Sequence, residues 1–275
     1  MSRAFALIGW PVAHSRSPAM HAAAFRARGL DARYELLPVP PEQLPDAIRR
    51  VRTTLEGANV TVPHKAAVMP LLDEVEPVAR TIGAVNTLLR SGGRLVGTNT
   101  DAAGFLRSLD EAGIDARGAR AVVLGAGGAA RAVVYALREA GAELAVAARR
   151  EAAARALTEA FGGRPFALTD VVEPFRSADL VVQATSAPLG PDAQAFADTL
   201  PLAALPSHAT VVELVYAPRE TAVLRAARAR ALRTVDGTGM LVHQGALAFT
   251  RWTGAPAPVE AMRAALLAAL DEVEL

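Results

Sequence analysis

The sequence predicts an α/β protein of two domains, and three observations lead there. At 275 residues with 52% hydrophobic content, the chain has the length of two domains and enough apolar side chains to give each a core. Short apolar runs bounded by Gly and Pro alternate with stretches of helical periodicity, the pattern of strand–helix–strand units. At residue 120 the texture changes to Arg120-Ala121-Val122-Val123-Leu124 followed at once by Gly125-Ala126-Gly127-Gly128-Ala129-Ala130, so a second strand–turn–helix series opens there.

Taken in order, residues 4–9 read as a buried strand, and Gly9 opens a loop that lasts to Ser17. Ser17-Pro18 combines an N-cap with a proline at the first helical position and predicts a helix towards Gly29. Residues 32–38 follow as a strand, 42–55 as an amphipathic helix and 58–62 as a third strand, an alternation that implies a parallel layer. Pro63 suits the start of another helix and would set Lys65 in its first turn. Residues 86–90 and 94–96, joined by Ser91-Gly92-Gly93, read as a hairpin, and Thr100-Asp101 caps a helix towards Gly113. In the second series, 143–148, 180–184 and 211–215 are strands and 151–161 and 219–230 are helices. After the turn Asp236-Gly237-Thr238-Gly239 come two last helices, 239–251 and 258–272. The expected division is one domain of 1–101 with 238–275, to which the C-terminal helices return, and another of 102–237.

Composition removes several functions. A net charge of +1 lacks the basic excess of a nucleic-acid or anionic-membrane surface. The apolar run 5–13 is broken by Gly9 and Pro11 and is too short to span a bilayer. With no Cys there is no disulfide, thiol nucleophile or thiolate zinc site, and the five His (14, 21, 64, 208 and 243) show no metal-ligand spacing. The expectation is a cytoplasmic monomer or homodimer that acts on a small molecule, with no metal, nucleic acid or membrane as partner.

Two features carry chemistry on their own. The chain writes 28 of its 29 basic residues as Arg and keeps one Lys, at position 65. An amine can release a proton near neutral pH once desolvated, whereas a guanidinium stays charged, so Lys65 is a candidate acid/base or Schiff-base residue; the competing reading is a solvated surface lysine. In the first turn of a helix the positive dipole end would disfavour its ammonium, as suits a general base. The second feature is the run Gly125, Gly127, Ala130, which fits G-x-G-x-x-G/A between a strand and a helix and predicts a Rossmann-type, doubly wound unit with a dinucleotide pyrophosphate on the helix N-terminus. Where a site for NAD would carry Asp or Glu at the end of the next strand, this chain has Arg149-Arg150, suited to a ribose 2′-phosphate. NADP(H) is the cofactor expected.

Other signals stay open at this level. Ser15 and Ser17 flank a helix N-terminus where an anion such as a carboxylate can bind, and an N-cap role for Ser17 explains the same residue without a ligand. Met240 and Gln244 lie four apart and share a helix face, available to a nicotinamide and a substrate or to core packing.

These pieces together resemble the shikimate dehydrogenase family. The matching segments are Gly9-Trp10-Pro11 with His14-Ser15-Arg16-Ser17-Pro18, Asn59-Val60-Thr61-Val62-Pro63-His64-Lys65, Gly83-Ala84-Val85-Asn86-Thr87, Asn99-Thr100-Asp101, the Gly125 turn, Ala184-Thr185-Ser186, Val215-Tyr216-Ala217-Pro218 and Gly239-Met240-Leu241-Val242-His243-Gln244-Gly245-Ala246. The resemblance implies reversible NADP-dependent reduction of 3-dehydroshikimate to shikimate, on the route to chorismate and the aromatic amino acids. It makes Lys65 the acid/base with Asp101 beside it, and gives Ser15 and Ser17 to the substrate carboxylate. Asn59, Thr61, Asn86, Thr100, Tyr216 and Gln244 fall to the ring hydroxyls and neighbouring contacts. To the cofactor it assigns Gly125, Ala126, Gly127, Gly128, Ala129, Arg149, Arg150, Thr185, Ser186, Leu214, Gly237 and Met240. The chain departs from the family pattern at Ala148-Arg149-Arg150, where Asn-Arg-Thr is usual, at Ala22, and at Gln183 and Glu213, where Asn and Asp are usual. Two further readings are a quinate/shikimate dehydrogenase using NAD, opposed by the missing strand-end acid, and a non-catalytic NADP sensor, opposed by the presence of both Lys65 and Asp101.

Overall fold

The computed structural model describes residues 2–272. The chain packs as two compact units, residues up to Gly104 with those from Val242 onward, and Phe105–Leu241.

The first unit contains β1 (Arg3–Gly9), α1 (Ser17–Ala27), β2 (Ala32–Pro38), α2 (Leu44–Thr54), β3 (Gly57–Val60), β4 (Glu74–Val75), α3 (Pro77–Ile82), β5 (Thr87–Ser91), β6 (Arg94–Thr98) and the start of α4 (Asp101–Glu111). Its six strands run in the order β2-β1-β3-β5-β6-β4. The strand–helix alternation of residues 4–62 gives the expected parallel layer β2-β1-β3, and the expected hairpin makes the sheet as a whole mixed. While β1 pairs in parallel with β2 and β3, β5 is antiparallel to both β3 and β6. The antiparallel pairing of β5 with β6 comes from the two-residue turn Gly92-Gly93, where φ is +56° and +78°, the positive values that a tight hairpin joining right-twisted strands needs. The alternation along β1 serves both faces of the sheet: Ala4, Ala6 and Ile8 bury with Ile48 and Val51 of α2, whereas Phe5 stacks on Phe25 of α1 at 5.2 Å and lies 4.9 Å from Trp252.

The second unit holds β7 (Arg120–Leu124), α5 (Gly128–Glu139), β8 (Glu143–Ala148), α6 (Glu151–Phe161), β9 (Arg164–Ala167), α7 (Val172–Arg176), β10 (Leu180–Gln183), α8 (Ala193–Thr199), β11 (Thr210–Glu213), α9 (Ala222–Arg228) and β12 (Arg233–Val235). Its strands are ordered β12-β11-β10-β7-β8-β9, and every pairing is parallel. Counted from β7 this is the doubly wound order 6-5-4-1-2-3 of dinucleotide-binding sheets. Strands β9 and β12, too short or too polar to read from the sequence, complete its two edges. The core gathers Val122, Leu124, Ala147, Phe175, Val181, Val211 and Leu224.

The last helices are α10 (Thr238–Thr253) and α11 (Val259–Asp271), and α11 packs on α1 of the first unit. The division between units falls inside α4 and inside α10. No described helix is long and apolar enough to cross a membrane.

Candidate active site

The first sheet brings its polar candidates to one edge. Asn59 at the end of β3 stands opposite Thr87 at the start of β5, and Thr87 stands opposite Thr98 at the end of β6, just before Asn99-Thr100-Asp101. The loops that follow β1 and β3 meet at the same edge, where the Trp10 N–H donates to the Val62 carbonyl at 3.0 Å. Clefts outside the carboxyl ends of parallel strands are where α/β sheets bind small molecules.

Lys65 does not stand in a helix. Residues 61–68 form successive turns, in which His64 N–H donates to the Thr61 carbonyl and Val68 N–H to that of His64, both at 2.9 Å, while Met69 N–H closes a tighter turn on Ala66 at 3.2 Å. Pro70, which lacks an N–H, allows no α-helix to continue past Met69. A helix dipole therefore does not act on Lys65, contrary to the expectation from Pro63. Two anchors place the turn instead. The buried imidazole of His64 donates through Nε2 to the Val39 carbonyl at 2.6 Å, and the Lys65 carbonyl accepts from Val85 N–H at 2.8 Å.

From there Lys65 Nζ donates to Asp101 Oδ2 at 2.6 Å, with 13% and 6% of the two side chains exposed. Asp101 opens α4, where a helix N-terminus favours an anion. The cap of that helix is supplied by Asn99, one position earlier than expected: its Oδ1 accepts from the N–H groups of Asp101 and Ala102 at 3.0 and 3.3 Å. Asn86 joins the remaining members. Its Nδ2 faces Asp101 Oδ1 at 2.7 Å, Thr100 Oγ1 at 2.9 Å and Gln244 Oε1 at 3.4 Å, while its Oδ1 accepts from Thr100 N–H at 2.8 Å. Gln244 reaches this cluster from α10 because Gly104 lets the two helices touch: a Cβ at position 104 would lie 2.7 Å from the Gln244 backbone nitrogen.

Asn59 is placed differently. Its Nδ2 donates to the Asn86 carbonyl at 3.2 Å and to Thr87 Oγ1 at 3.1 Å, and its Oδ1 accepts from the Tyr34 hydroxyl at 2.8 Å, so protein groups engage both ends of this buried amide. Ser15 and Ser17 form a separate pair. Ser15 Oγ donates to Ser17 Oγ at 3.2 Å and receives the Ser17 N–H at 3.3 Å, which makes Ser15 the residue that satisfies the start of α1. Arg16 is the N-cap position and Ser17 is already helical, one residue off the sequence expectation. No hydrogen bond among the described residues links this pair to the Lys65 cluster. Thr61 lies in the loop after β3 with its N–H on the Ile8 carbonyl at 2.8 Å. Tyr216 belongs to the second unit, half-buried in the loop after β11.

In the second unit Gly125 has φ +124°, and a Cβ there would lie 3.0 Å from the Ala184 carbonyl, so only glycine fits this turn between β7 and α5. At Gly127, the N-cap of α5, a Cβ would meet nothing within 4 Å, leaving open space beside the first-turn N–H groups of Gly128 and Ala129. Both properties fit a dinucleotide phosphate. Arg149 and Arg150 follow β8, exposed and without an ion-pair partner among the described residues. Thr185 and Ser186 follow β10, and Gly237 packs on the Leu214 carbonyl at the end of β11. Met240, in the first turns of α10, is buried.

The two departures Gln183 and Glu213 touch each other. Gln183 Nε2 donates to Glu213 Oε1 at 3.3 Å, while its Oε1 accepts from Thr185 N–H at 2.7 Å. Glu213 also accepts from Val215 N–H at 3.0 Å and from Thr221 Oγ1 at 3.1 Å, and burial pushes its carboxyl up to about 7. This pair braces the loops that carry Thr185 and Tyr216. Sequence reasoning gave no role to Gln183, Glu213, Thr87, Asn99, His64 or Tyr34. Their signal was weak, since each works on backbone or on another side chain that only the fold brings near.

A doubly wound parallel sheet with a dinucleotide turn, in one chain with a second sheet that holds a lysine–aspartate pair in a polar cluster, defines an α/β dehydrogenase. Family models match along the sequence: a shikimate dehydrogenase substrate binding domain over residues 7–88, a shikimate/quinate 5-dehydrogenase over 109–191 and a shikimate 5′-dehydrogenase C-terminal domain over 237–267. The NADP(+) shikimate dehydrogenase of Symbiobacterium thermophilum is 47% identical, covering 98% of this chain and 95% of its own. That of a Thermus thermophilus strain is 49% identical over 91% and 92% of the two chains. Among solved structures, shikimate 5-dehydrogenase from Thermus thermophilus in complex with NADP(H) and shikimate superposes with a TM-score of 0.88 at 45% identity, covering 98% of this chain and 100% of that one. The chain belongs to the shikimate dehydrogenase family.

Proposed function

We propose that the chain catalyses the reversible reduction of 3-dehydroshikimate to shikimate with NADP(H), in the biosynthesis of aromatic amino acids, with Lys65 as acid/base. The observation that carries this reading is the 2.6 Å Lys65–Asp101 pair, nearly buried at the sheet edge of a chain that also has a dinucleotide turn and strand-end arginines. When bound, NADP(H) supplies or receives the hydride. What remains for the protein is to move a proton at the substrate oxygen and to hold a ring bearing a carboxylate and several hydroxyls.

An ammonium has three N–H groups, and Lys65 spends one on Asp101, which leaves others for the substrate oxygen. In the reductive direction Lys65 delivers a proton as negative charge develops there, and in the oxidative direction it takes the proton back. Asp101 aims the amine and is itself held by Asn86. Asn86, Thr100 and Gln244 offer donors and acceptors to the ring hydroxyls, with Thr61 as a further contact. Ser15 and Ser17 take the carboxylate at the start of α1. In this reading the first unit binds substrate and the second binds NADP(H), with 125–129 on the pyrophosphate, Arg149 and Arg150 on the 2′-phosphate, and Thr185, Ser186, Leu214, Gly237 and Met240 along the rest. A chain without Cys tolerates the reducing cytoplasm, where we place it as a monomer or homodimer.

The test follows nicotinamide absorbance with shikimate against quinate, each with NADP and with NAD. The expected result is turnover of shikimate with NADP well above the other three combinations. Preferential turnover of quinate with NAD overturns the proposal.

A further inference from the structure

We propose that Tyr34 is a positioning residue for this reaction: its hydroxyl fixes the amide of Asn59, and Asn59 in turn fixes Thr87 and Asn86 behind the Lys65–Asp101 pair. The inference rests on the reading of Lys65, Asp101 and Asn86 as the reacting end of the site.

The hydrogen bonds run in one sense. Tyr34 O–H donates to Asn59 Oδ1 at 2.8 Å, Asn59 Nδ2 to Thr87 Oγ1 at 3.1 Å, Thr87 Oγ1 to Asn86 Oδ1 at 2.9 Å, and Asn86 Nδ2 to Asp101 Oδ1 at 2.7 Å. Lys65 meets the other oxygen of the same carboxylate at 2.6 Å. In such a series each group spends its donor on the next group's acceptor, so loss of the first hydrogen bond loosens the amide that holds the others. An asparagine amide has two nearly isosteric orientations; the Asn86 carbonyl, which can only accept, sets the one with Nδ2 towards it, and the Tyr34 hydroxyl then holds Oδ1 in place. The reversed amide would turn its oxygen towards the Asn86 carbonyl, now 3.2 Å from Nδ2, and set two acceptors against each other.

The phenol is itself held rigidly. Tyr34 is buried on β2, and its ring stacks on that of His21 with centroids 4.4 Å apart and planes 11° from parallel. His21 is fully buried on α1, neither ring nitrogen finds a hydrogen-bond partner among the described residues, and burial brings its pKa down to about 3. A neutral imidazole that makes no hydrogen bond serves here as a flat plate, and what it supports is the Tyr34 ring. This arrangement gives Asn59 a supporting role, since both ends of its amide are engaged by Tyr34, Thr87 and the Asn86 carbonyl.

The experiment is Tyr34→Phe, which keeps the ring and its stack and removes only the hydroxyl. Turnover is expected to fall about tenfold, the scale of one hydrogen bond expressed in the rate, while KM for NADP stays within about twofold. In an Asn59→Ala background the same substitution is expected to cost nothing further, because the group it holds is gone. Turnover of Tyr34→Phe within about twofold of the parent overturns the inference, as do losses that multiply in the double variant. Lys65→Met is measured alongside. If Lys65→Met keeps its turnover, the reading of the reacting end fails and takes this inference with it. If Lys65→Met is inactive and Tyr34→Phe is not impaired, only the inference about Tyr34 fails.

Discussion

Lys65 and Asp101, 36 positions apart, meet at 2.6 Å with both side chains nearly buried. A fixed positive charge and a proton carrier would both satisfy this geometry, and Lys65→Arg separates them. Guanidinium keeps the charge and cannot release a proton at accessible pH, so turnover is expected to drop roughly 10²- to 10⁴-fold with a smaller change in shikimate affinity. Steady-state kinetics of the parent and the Arg variant check this; near-parental turnover would leave Lys65 as an electrostatic clamp only.

Arg149 and Arg150 are exposed at the end of β8 with no competing carboxylate partner among the described residues. Replacing both by Ala removes charge-assisted contacts to a 2′-phosphate of about 1.5–3 kcal/mol, an expected loss of roughly 10- to 150-fold in NADP affinity with NAD affinity unchanged. Titrating both nucleotides by fluorescence reads the ratio. An undiminished preference for NADP in the double variant places selectivity elsewhere.

Gly104 gives α10 its approach to α4. In Gly104→Ala the new methyl would stand 2.7 Å from the Gln244 nitrogen and 2.9 Å from its Cα, which are backbone atoms that cannot rotate away. Overpacking of this kind costs about 1–3 kcal/mol, and Gln244 is expected to shift off Asn86. A lower melting temperature together with a raised shikimate KM and unchanged NADP KM is the expected pattern; a variant that is destabilised with its shikimate KM intact would show that Gln244 is not a substrate contact.

Glu213 makes stability depend on pH. Its carboxyl holds a proton to about 7 in the folded chain against 4.5 when unfolded, so between these values the native state binds more protons and stability falls as pH rises. The full effect, reached above about pH 7, is on the order of 3 kcal/mol. His21 slopes the other way, since its pKa of about 3 lies below the unfolded 6.5 and its neutral burial gains stability as pH rises through that interval. Comparing denaturation of the parent with Glu213→Gln from about pH 5 to about pH 8 removes the His21 contribution, which both proteins share. The parent is expected to lose stability relative to the variant across this range, and a parallel pair of curves would contradict the assignment.

Much of the architecture was written in local patterns. Strand 143–148 and helix 151–161 stand where their periodicity puts them, and the turn at Gly125 announced the doubly wound sheet, because a positive φ between a strand and a helix demands glycine whatever the surroundings. The Gly92-Gly93 hairpin was equally legible, although its consequence, a mixed first sheet, depended on which strand β5 would join. Lys65 stood out through composition alone. Its setting did not: Pro63 suits a helix start, yet Pro70 and the anchoring of His64 on Val39 decided for turns.

The sequence by itself determined the α/β class and the dinucleotide turn, and it singled out Lys65 by composition. These follow from side-chain type and short-range spacing, which the chain carries without folding. Tertiary structure alone decided that Asn86 would hold Asp101 and meet Gln244, 158 positions from it, and that Tyr34 would take the oxygen of Asn59. Strand register and helix contact set those meetings. A hydrogen bond between distant residues leaves no periodicity in the sequence, because either partner would look the same if the other were elsewhere.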